Sequence, residues 1–128
     1  MPHPNEALVR QAYEAFGKGD LPGFLALCDD SMVFTVPGSA AFAGTYTKAT
    51  FPGMVMQVME KSAGTFGEAI VELVANDERA VAVLDHWLER DGMRIEYRTD
   101  HIWGIKDGKL ISWQERPGSQ ADFDRIWA

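Results

Sequence analysis

Two Asp-Gly dipeptides, Asp91-Gly92 and Asp107-Gly108, constrain the fold of this sequence more than any other feature. Each lies between long β-prone runs, and a two-residue hairpin turn of the favoured hand requires positive φ at both central positions, which Asp-Gly accommodates. With the polar stretch at 76–79, these turns predict four antiparallel strands in a meander from Thr65 onward. The C-terminal half must therefore form a long antiparallel sheet.

The first half of the sequence has helical spacing instead. An apolar stripe over residues 8–16 predicts one helix, and Asp20 is a suitable N-cap for a second short helix in which Cys28 points inward. Thr50 is a plausible cap for a third helix. Helices followed by a meander predict an α+β fold with helices covering one face of the sheet.

Between the second and third helices the sequence is less regular. Met32 to Val36 is a short β-prone run closed by Pro37-Gly38, and it predicts one further strand. The segment from there to Tyr46 is rich in Gly and Ala and lacks periodicity, so we expect a loop.

Length and charge narrow the functional classes. The 128 residues are typical of one domain, which we expect to span 1–128, and no stretch has the pattern of a membrane span or signal peptide, so a cytoplasmic protein is expected. A net charge of −7 disfavours nucleic acid and anionic membranes as partners and favours an uncharged or cationic small ligand. The single cysteine, Cys28, excludes an internal disulfide and is expected to pack inside the second helix.

The two turns also predict which side chains lie opposite each other. Two-residue turns place Asp85 opposite Arg98 and Asp100 opposite Glu115. One face of the sheet then collects Asp85, Trp87, Arg98, Asp100, Ile102, Trp113 and Glu115. The other face collects Leu84, His86, Leu88, Ile95, Tyr97, His101 and Trp103.

Two carboxylates directly across a strand pair repel each other, so such a pairing suggests a functional role that compensates for the repulsion. In a partly dry cavity the repulsion would raise the pKa of one carboxyl while Arg98 keeps another ionised, giving an acid and a base. The alternative is a solvated outer face with an ordinary Asp85–Arg98 ion pair. Large apolar groups on the same face, such as Trp113, favour a pocket.

The remaining polar candidates are less distinctive. His86 and His101 lie on the opposite face from the carboxylates, where packed or interface histidines are expected. Tyr13 and Tyr46 could each donate a phenol hydrogen bond to a ligand. Because no HxxxH or HExxH spacing occurs and there is no second cysteine, we expect no metal site.

Five segments carry a family resemblance: residues 13–21 (YEAFGKGDL), 36–38 (VPG), 43–46 (AGTY), 107–109 (DGK) and 120–127 (QADFDRIW). Together they resemble the SnoaL-like and ketosteroid-isomerase-like branch of the nuclear transport factor 2 fold superfamily. The resemblance implies a cone-shaped α+β barrel, in which three N-terminal helices pack on a strongly curved antiparallel sheet around an apolar pocket. It also implies a homodimer formed through the outer sheet surface, for which Tyr97, His101 and Trp103 would be suitable.

Within this branch, the resemblance to ketosteroid isomerases implies an oxyanion-stabilising carboxylic acid at Asp100, next to His101. The general base of those enzymes falls at Thr35 and their oxyanion tyrosine at Ala12, so neither is matched.

Limonene epoxide hydrolases are similar in a different way. Their tryptophan and water-activating carboxylate on the last strand match Trp113 and Glu115, and their acid carboxylate matches Asp85. Their bridging arginine corresponds to Val83, although Arg98 could reach the same space.

We therefore expect a cofactor-independent acid/base enzyme of isomerase, cyclase or epoxide-hydrolase type, acting on a hydrophobic carbonyl or epoxide compound. The expected catalytic residues are Asp100, Glu115, Arg98 and Asp85, and the expected substrate-binding residues are Trp113, Ile102, Trp87, Tyr13 and Tyr46. Glu115 would be the base and Asp100 or Asp85 the protonated acid. The alternatives are a non-catalytic ligand-binding module and a dimerisation or docking domain with a filled cone.

Overall fold

The protein is described here by a computed structural model of residues 2–128. The helices are α1 (Pro4–Gly17), α2 (Leu21–Ala26), α3 (Phe51–Lys61) and α4 (Gln120–Ile126). The strands are β1 (Cys28–Val36), β2 (Gly44–Thr47), β3 (Gly67–Ala75), β4 (Arg79–Arg90), β5 (Met93–Lys106) and β6 (Lys109–Pro117). They form a six-stranded sheet in the order β2-β1-β6-β5-β4-β3, in which β1 and β6 pair in parallel and the other neighbours are antiparallel. The expected α+β cone is confirmed, although the sheet stays open and does not close into a barrel.

The helix starts follow the local sequence. The carboxylate of Asp20 accepts a hydrogen bond from the backbone N–H of Gly23, as an N-cap should. α3 begins directly after Thr50 as predicted, but the Thr50 hydroxyl accepts from the N–H of Thr47 and makes no cap bond. The preceding turn, rather than the helix, therefore uses this side chain.

Two predictions for the first half need correction, and the tail contains a further helix. Cys28 begins β1 and is not part of α2, because α2 ends at Ala26 and the backbone of Cys28 already pairs with Leu110 of β6. The expected loop up to Tyr46 contains the short edge strand β2. The tail forms a fourth helix, which begins after the N-cap Ser119 and which the sequence reading did not assign.

Both Asp-Gly turns have the predicted backbone. Asp91 and Gly92 have φ of 54° and 74°, and Asp107 and Gly108 have φ of 51° and 75°. The β4–β5 register follows the first turn along its whole length, so Asp85 faces Arg98 as expected.

The β5–β6 register departs from the prediction after two residue pairs. Ile105 still faces Leu110, but Gly104 faces Ser112, which leaves Ile111 as an extra residue on β6. A one-residue shift sends every later side chain to the opposite face of the sheet. The predicted Asp100–Glu115 pairing is therefore wrong.

The shift changes the partners of both carboxylates. Asp100 faces Arg116, and Glu115 faces His101. Glu115 and Trp113 consequently share the concave face with the residues that were assigned to the opposite side.

The concave face holds the core. α1 packs against β3 and β4, and the buried apolar residues, among them Val9, Phe34, Leu84 and Trp127, lie between helices and sheet. Tyr97, His101 and Trp103 point into this interior, so the expectation that they form an outer dimer surface is wrong. The homodimer itself stays a prediction. Within residues 2–128, no helix combines the length and apolarity that crossing a bilayer requires.

Candidate functional site

A cavity opens inside the cone between the helices and the concave face of the sheet. Its empty volume, including the mouth, is about 700 Å³. The room open to the centres of water molecules is about 80 Å³, several times the roughly 10–15 Å³ that one water needs. The walls are mostly aromatic and aliphatic, with Phe34, Phe51, Phe66, Trp103, Trp113 and Trp127 among the lining residues. This environment suits an apolar small molecule.

A row of four polar side chains crosses the inner wall, one from each of four adjacent strands. Glu68 lies on β3, His86 on β4, His101 on β5 and Glu115 on β6. Oε2 of Glu68 is 2.9 Å from Nε2 of His86, and Oε2 of Glu115 is 2.7 Å from Nε2 of His101. The two imidazole centroids are 5.4 Å apart. The row thus consists of two carboxylate–imidazole pairs side by side.

The His101–Glu115 pair is almost completely buried, with 6% of each side chain exposed. Burial by itself disfavours the charge on His101, but the Glu115 carboxylate, with Glu68 and Asp100, outweighs it and raises the His101 pKa. Burial likewise disfavours the charge on Glu115, yet contact with His101, the charge of His86 and the Thr99 hydrogen bond lower the Glu115 pKa. Both directions favour an imidazolium–carboxylate pair.

Thr99 fixes the carboxylate of this pair. Its buried hydroxyl donates to Oε1 of Glu115 at 2.8 Å, which leaves Oε2 beside the imidazole. The contact between Oε2 and Nε2 of His101 is short but lies off the N–H direction, so it is an ion-pair contact and not an aligned hydrogen bond.

Tyr13 of α1 reaches the other side of the same imidazole. Its hydroxyl oxygen is 2.6 Å from Nδ1 of His101 and accepts a hydrogen bond from Nε1 of Trp103 at 3.0 Å. Burial, aided by the nearby carboxylates, raises the pKa of the Tyr13 phenol well above its ordinary value. The phenol therefore keeps its proton and can serve as a hydrogen-bond donor.

The second pair, Glu68 and His86, makes fewer hydrogen bonds than the first. Within the part of the chain that the structure describes, Nδ1 of His86 has no hydrogen-bond partner. Glu68, His86 and His101 each bring one potential ligand atom to within 4.8 Å of the others. A metal-binding histidine normally donates its second ring N–H to a protein group, which His86 does not do. The hydrogen-bonded Glu68–His86 pair and the His101–Glu115 ion pair therefore fit acid/base groups better than a metal centre.

The structure brings together three of the predicted site residues and separates the others from the cavity. Tyr13, Trp113 and Glu115 line the cavity. Asp85 and Arg98 form a 2.9 Å ion pair with more than half of each side chain exposed, which is the solvated alternative considered from the sequence. The bulge at Ile111 places Glu115 on the opposite face, so the predicted cluster is divided between the two faces of the sheet.

The remaining predicted residues also lie away from the cavity. Asp100, Trp87 and Ile102 share the convex face, where the guanidinium of Arg94 lies 5.0 Å from the Trp87 ring centroid. Tyr46 donates its hydroxyl proton to the carbonyl of Phe42 at 2.7 Å and does not line the cavity.

The sequence reading missed four functional candidates, namely Glu68, His86, His101 and Trp103. One signal could have found the last two. Gly104 is an isolated glycine inside a strand, which is a recognised sign of a bulge. A Cβ at this position would come within 2.3 Å of Oγ of Ser112, so the bulged strand lies close against it.

Comparison with solved structures finds the same fold in several proteins. Bal32a from a soil-derived mobile gene cassette is 23% identical with a TM-score of 0.88, covering 97% of this chain and 96% of its own. TerC, co-crystallised with polyporic acid, is 19% identical with a TM-score of 0.84, covering 98% and 100%. IdmH from Streptomyces antibioticus, a proposed polyketide cyclase, is 16% identical with a TM-score of 0.75, covering 91% and 93%.

Sequence comparison identifies the family. No curated protein matches the sequence. The sequence profile of the SnoaL-like domain matches residues 9–113, which is most of the chain. Since the profile spans α1 to β6 and the fold agrees along almost the whole length, the chain belongs to the SnoaL-like domain family.

Proposed function

We propose that this protein is a proton-transfer enzyme, of cyclase or isomerase type, that removes a proton next to the carbonyl group of an apolar small molecule. The observation that carries the proposal is the buried His101–Glu115 pair, which reaches Tyr13 inside an apolar cavity. Charged groups are costly to bury, and such pairs with perturbed pKa values concentrate at functional sites.

Each group has a chemical role in this reaction. The carboxylate of Glu115 accepts the proton from the carbon next to the carbonyl, and the electron pair of the C–H bond moves to the carbonyl oxygen. The O–H of Tyr13, supported by the charged His101, donates a hydrogen bond to the oxygen as its negative charge develops. Removing a positioned base costs roughly 10²–10⁴ in rate and removing an oxyanion donor roughly 10²–10³.

The enolate has two outcomes. In the first, its carbon attacks a second carbonyl of the same molecule, and the oxygen of that carbonyl takes the proton from Glu115, which closes a ring. In the second, a carbon–carbon double bond is conjugated with the enolate and Glu115 returns the proton to the far carbon of that system, which isomerises the compound. The shape of the apolar wall decides between them, because it holds one folded conformation of the ligand near the reacting carbon.

The acid in this proposal differs from the one expected from the sequence. Asp100 and Asp85 were the expected acids, but both lie on the convex face, outside the cavity. Tyr13 and His101 take that role instead. The epoxide-hydrolase arrangement loses support for the same reason, since Asp85 and Arg98 do not reach the cavity.

The comparisons support a small organic ligand. TerC was crystallised with polyporic acid and IdmH is a proposed polyketide cyclase, and both share the fold of this chain. These two descriptions apply to TerC and IdmH themselves. Ligands of that kind are consistent with the largely aromatic walls of the cavity in this protein.

Acetophenone in D₂O tests the proposal without knowledge of the natural substrate. We expect the wild-type protein to catalyse deuterium exchange into its methyl group, measured by proton NMR. The variant Glu115→Gln should lose roughly 10²–10⁴ of the catalysed rate, whereas Asp85→Asn on the convex face should keep it.

Two results would contradict the proposal. Equal exchange rates for Glu115→Gln and the wild-type protein would remove Glu115 as the base. Binding of acetophenone with no catalysed exchange at any pH would instead indicate a ligand-binding module.

A further inference from the structure

The hydroxyl of Tyr13 has a limited bonding capacity that two neighbours use up. A phenol oxygen accepts at most two hydrogen bonds and donates one. The indole N–H of Trp103 is a donor only, so at 3.0 Å it permanently occupies one acceptor site of Tyr13. The 2.6 Å contact with Nδ1 of His101 then depends on which atom holds the proton.

Consider first the charged form of His101, in which Nδ1 carries a proton. Both neighbours donate to the hydroxyl oxygen of Tyr13, which has no acceptor site left. Its own proton must point away from both neighbours, and Tyr13 lines the cavity. Towards a ligand, Tyr13 is then a donor and cannot be an acceptor.

Now consider the neutral form with the remaining proton on Nε2, beside Glu115. Nδ1 is then an acceptor, and Tyr13 donates its proton to it. One acceptor site of the hydroxyl oxygen becomes free, so towards a ligand Tyr13 is an acceptor and cannot be a donor. One proton on His101 thus reverses the polarity of the Tyr13 hydroxyl.

We infer that Trp103 is a positioning residue which, together with His101, makes Tyr13 a strict donor, so that the cavity selects a carbonyl or enolate oxygen over a hydroxyl group. This inference rests on the proposed function and deepens it by naming the ligand group at Tyr13. Without the indole N–H, the charged form would leave one acceptor site open and a ligand hydroxyl could use it. Trp103 is buried and its ring meets Tyr13 edge-on at 5.6 Å, which holds the N–H in place.

The charge on His101 depends on groups from every element around it. They are Tyr13 on α1, Glu68 on β3, His86 on β4, Asp100 on β5 and Glu115 on β6. Since their combined effect raises the His101 pKa, the donor form extends above the ordinary histidine range. The selectivity should reverse once the pH exceeds that raised value.

Acetophenone and 1-phenylethanol are a suitable probe pair, because they share a skeleton and differ in the oxygen group. We expect the wild-type protein to bind the ketone roughly tenfold more tightly at low pH, as measured by calorimetry, because the alcohol would bury an unpaired O–H. The ratio of ketone affinity to alcohol affinity should fall below one at high pH. The carbonyl stretch of bound acetophenone should shift to lower frequency only in the low-pH form.

Variants assign the effect to Trp103. The variant Trp103→Phe should lower the ketone-to-alcohol ratio at low pH, and in a Tyr13→Phe background the same change should leave the ratio unaltered. If Trp103→Phe does not fold, Trp103→3-benzothienylalanine keeps the shape and lacks the N–H. A ratio that is independent of pH, or a position-103 effect that persists without the Tyr13 hydroxyl, would overturn the inference.

The two proposals fail separately. Deuterium exchange that depends on Glu115, without any ketone preference, would overturn the role of Trp103 alone. A pH-reversible ketone preference without exchange would overturn the proposed reaction and keep the binding inference.

Discussion

The Asp85–Arg98 and Glu115–His101 pairs both join neighbouring strands of one sheet, at 2.9 Å and 2.7 Å. The first lies on the convex face with 58% of Arg98 and 52% of Asp85 exposed, and the second lies on the concave face with 6% of each side chain exposed. An exposed pair contributes less than about 1 kcal/mol, whereas a buried pair must offset a large loss of hydration. Burial, not the presence of opposite charges, therefore distinguishes the candidate site.

Deleting Ile111 should have the largest effect on the difference between the buried and the exposed ion pair. The deletion removes the extra residue of the β6 bulge and would turn Glu115 and Trp113 towards the convex face. We expect a loss of at least about 3 kcal/mol in unfolding free energy, or no cooperative folding, because a core tryptophan loses its packing. Urea unfolding and near-UV circular dichroism measure this.

The control for the deletion is Ile111→Ala, which keeps the chain length. This variant should lose only about 1–2 kcal/mol, because the side chain is half-buried. A deletion variant as stable as the wild-type protein would show that the bulge does not set the inner face.

The buried pair should also give the stability a distinct pH dependence. His101 has a raised pKa when folded, so its contribution is complete below its ordinary value of 6.5 and is lost as pH rises through the folded value. Glu115 has a lowered pKa, so its contribution is complete above its ordinary value of 4.5 and is lost as pH falls through the folded value. The pair should stabilise most between about pH 4.5 and 6.5.

Urea unfolding of the wild-type protein and Glu115→Gln across a pH series measures this window. The difference between them should peak inside the window at about 1–3 kcal/mol, the usual effect of losing a partner of a buried polar group. A difference that is constant from pH 4 to 9 would contradict the imidazolium–carboxylate form.

Thr99→Val should produce a smaller effect on the same pair. The change removes the hydroxyl that donates to Oε1 of Glu115 and keeps the shape of the side chain. We expect a loss of about 1 kcal/mol in the free energy of unfolding and a rise in the Glu115 pKa. Carbon-13 NMR of the carboxyl group measures this pKa. Thr99→Ser retains the hydroxyl and should behave like the wild-type protein. An unchanged Glu115 pKa in Thr99→Val would show that the hydroxyl does not hold the charged form.

Asp85→Asn should have the smallest effect. The exposed pair with Arg98 should contribute less than about 1 kcal/mol, and salt should reduce even this. Unfolding at low and high ionic strength checks the expectation. A loss as large as that of Glu115→Gln would mean that the convex face is covered in solution.

The sequence predicted much of the fold because its information was local. Asp-Gly turns and the Asp20 cap specify backbone geometry within a few residues, and the register next to each turn follows directly. The site was predicted less well, because its residues lie on four strands and α1. The sequence did not predict the one-residue register shift at Ile111, which exchanges the inner and outer faces of β6 relative to β5.

That shift divided the predicted site residues between the two faces of the sheet. Large apolar groups on the predicted face argued for a pocket, but Trp87 and Ile102 lie on the convex face, where Trp87 contacts the exposed side chain of Arg94. The two histidines were set aside because they lay opposite the carboxylates in the predicted register. Register errors of this kind invert a conclusion about function without changing the fold class.

The aromatic wall also makes the protein its own optical sensor. Trp103, Trp113 and Trp127 line the cavity, and the fourth tryptophan, Trp87, lies on the convex face under Arg94. Indole fluorescence responds to nearby polar groups and quenchers. A molecule that enters the cavity should therefore change the fluorescence of three of the four tryptophans. In Trp87→Phe all of the tryptophan emission would come from residues that line the cavity, which would allow a library of compounds to be screened without labels.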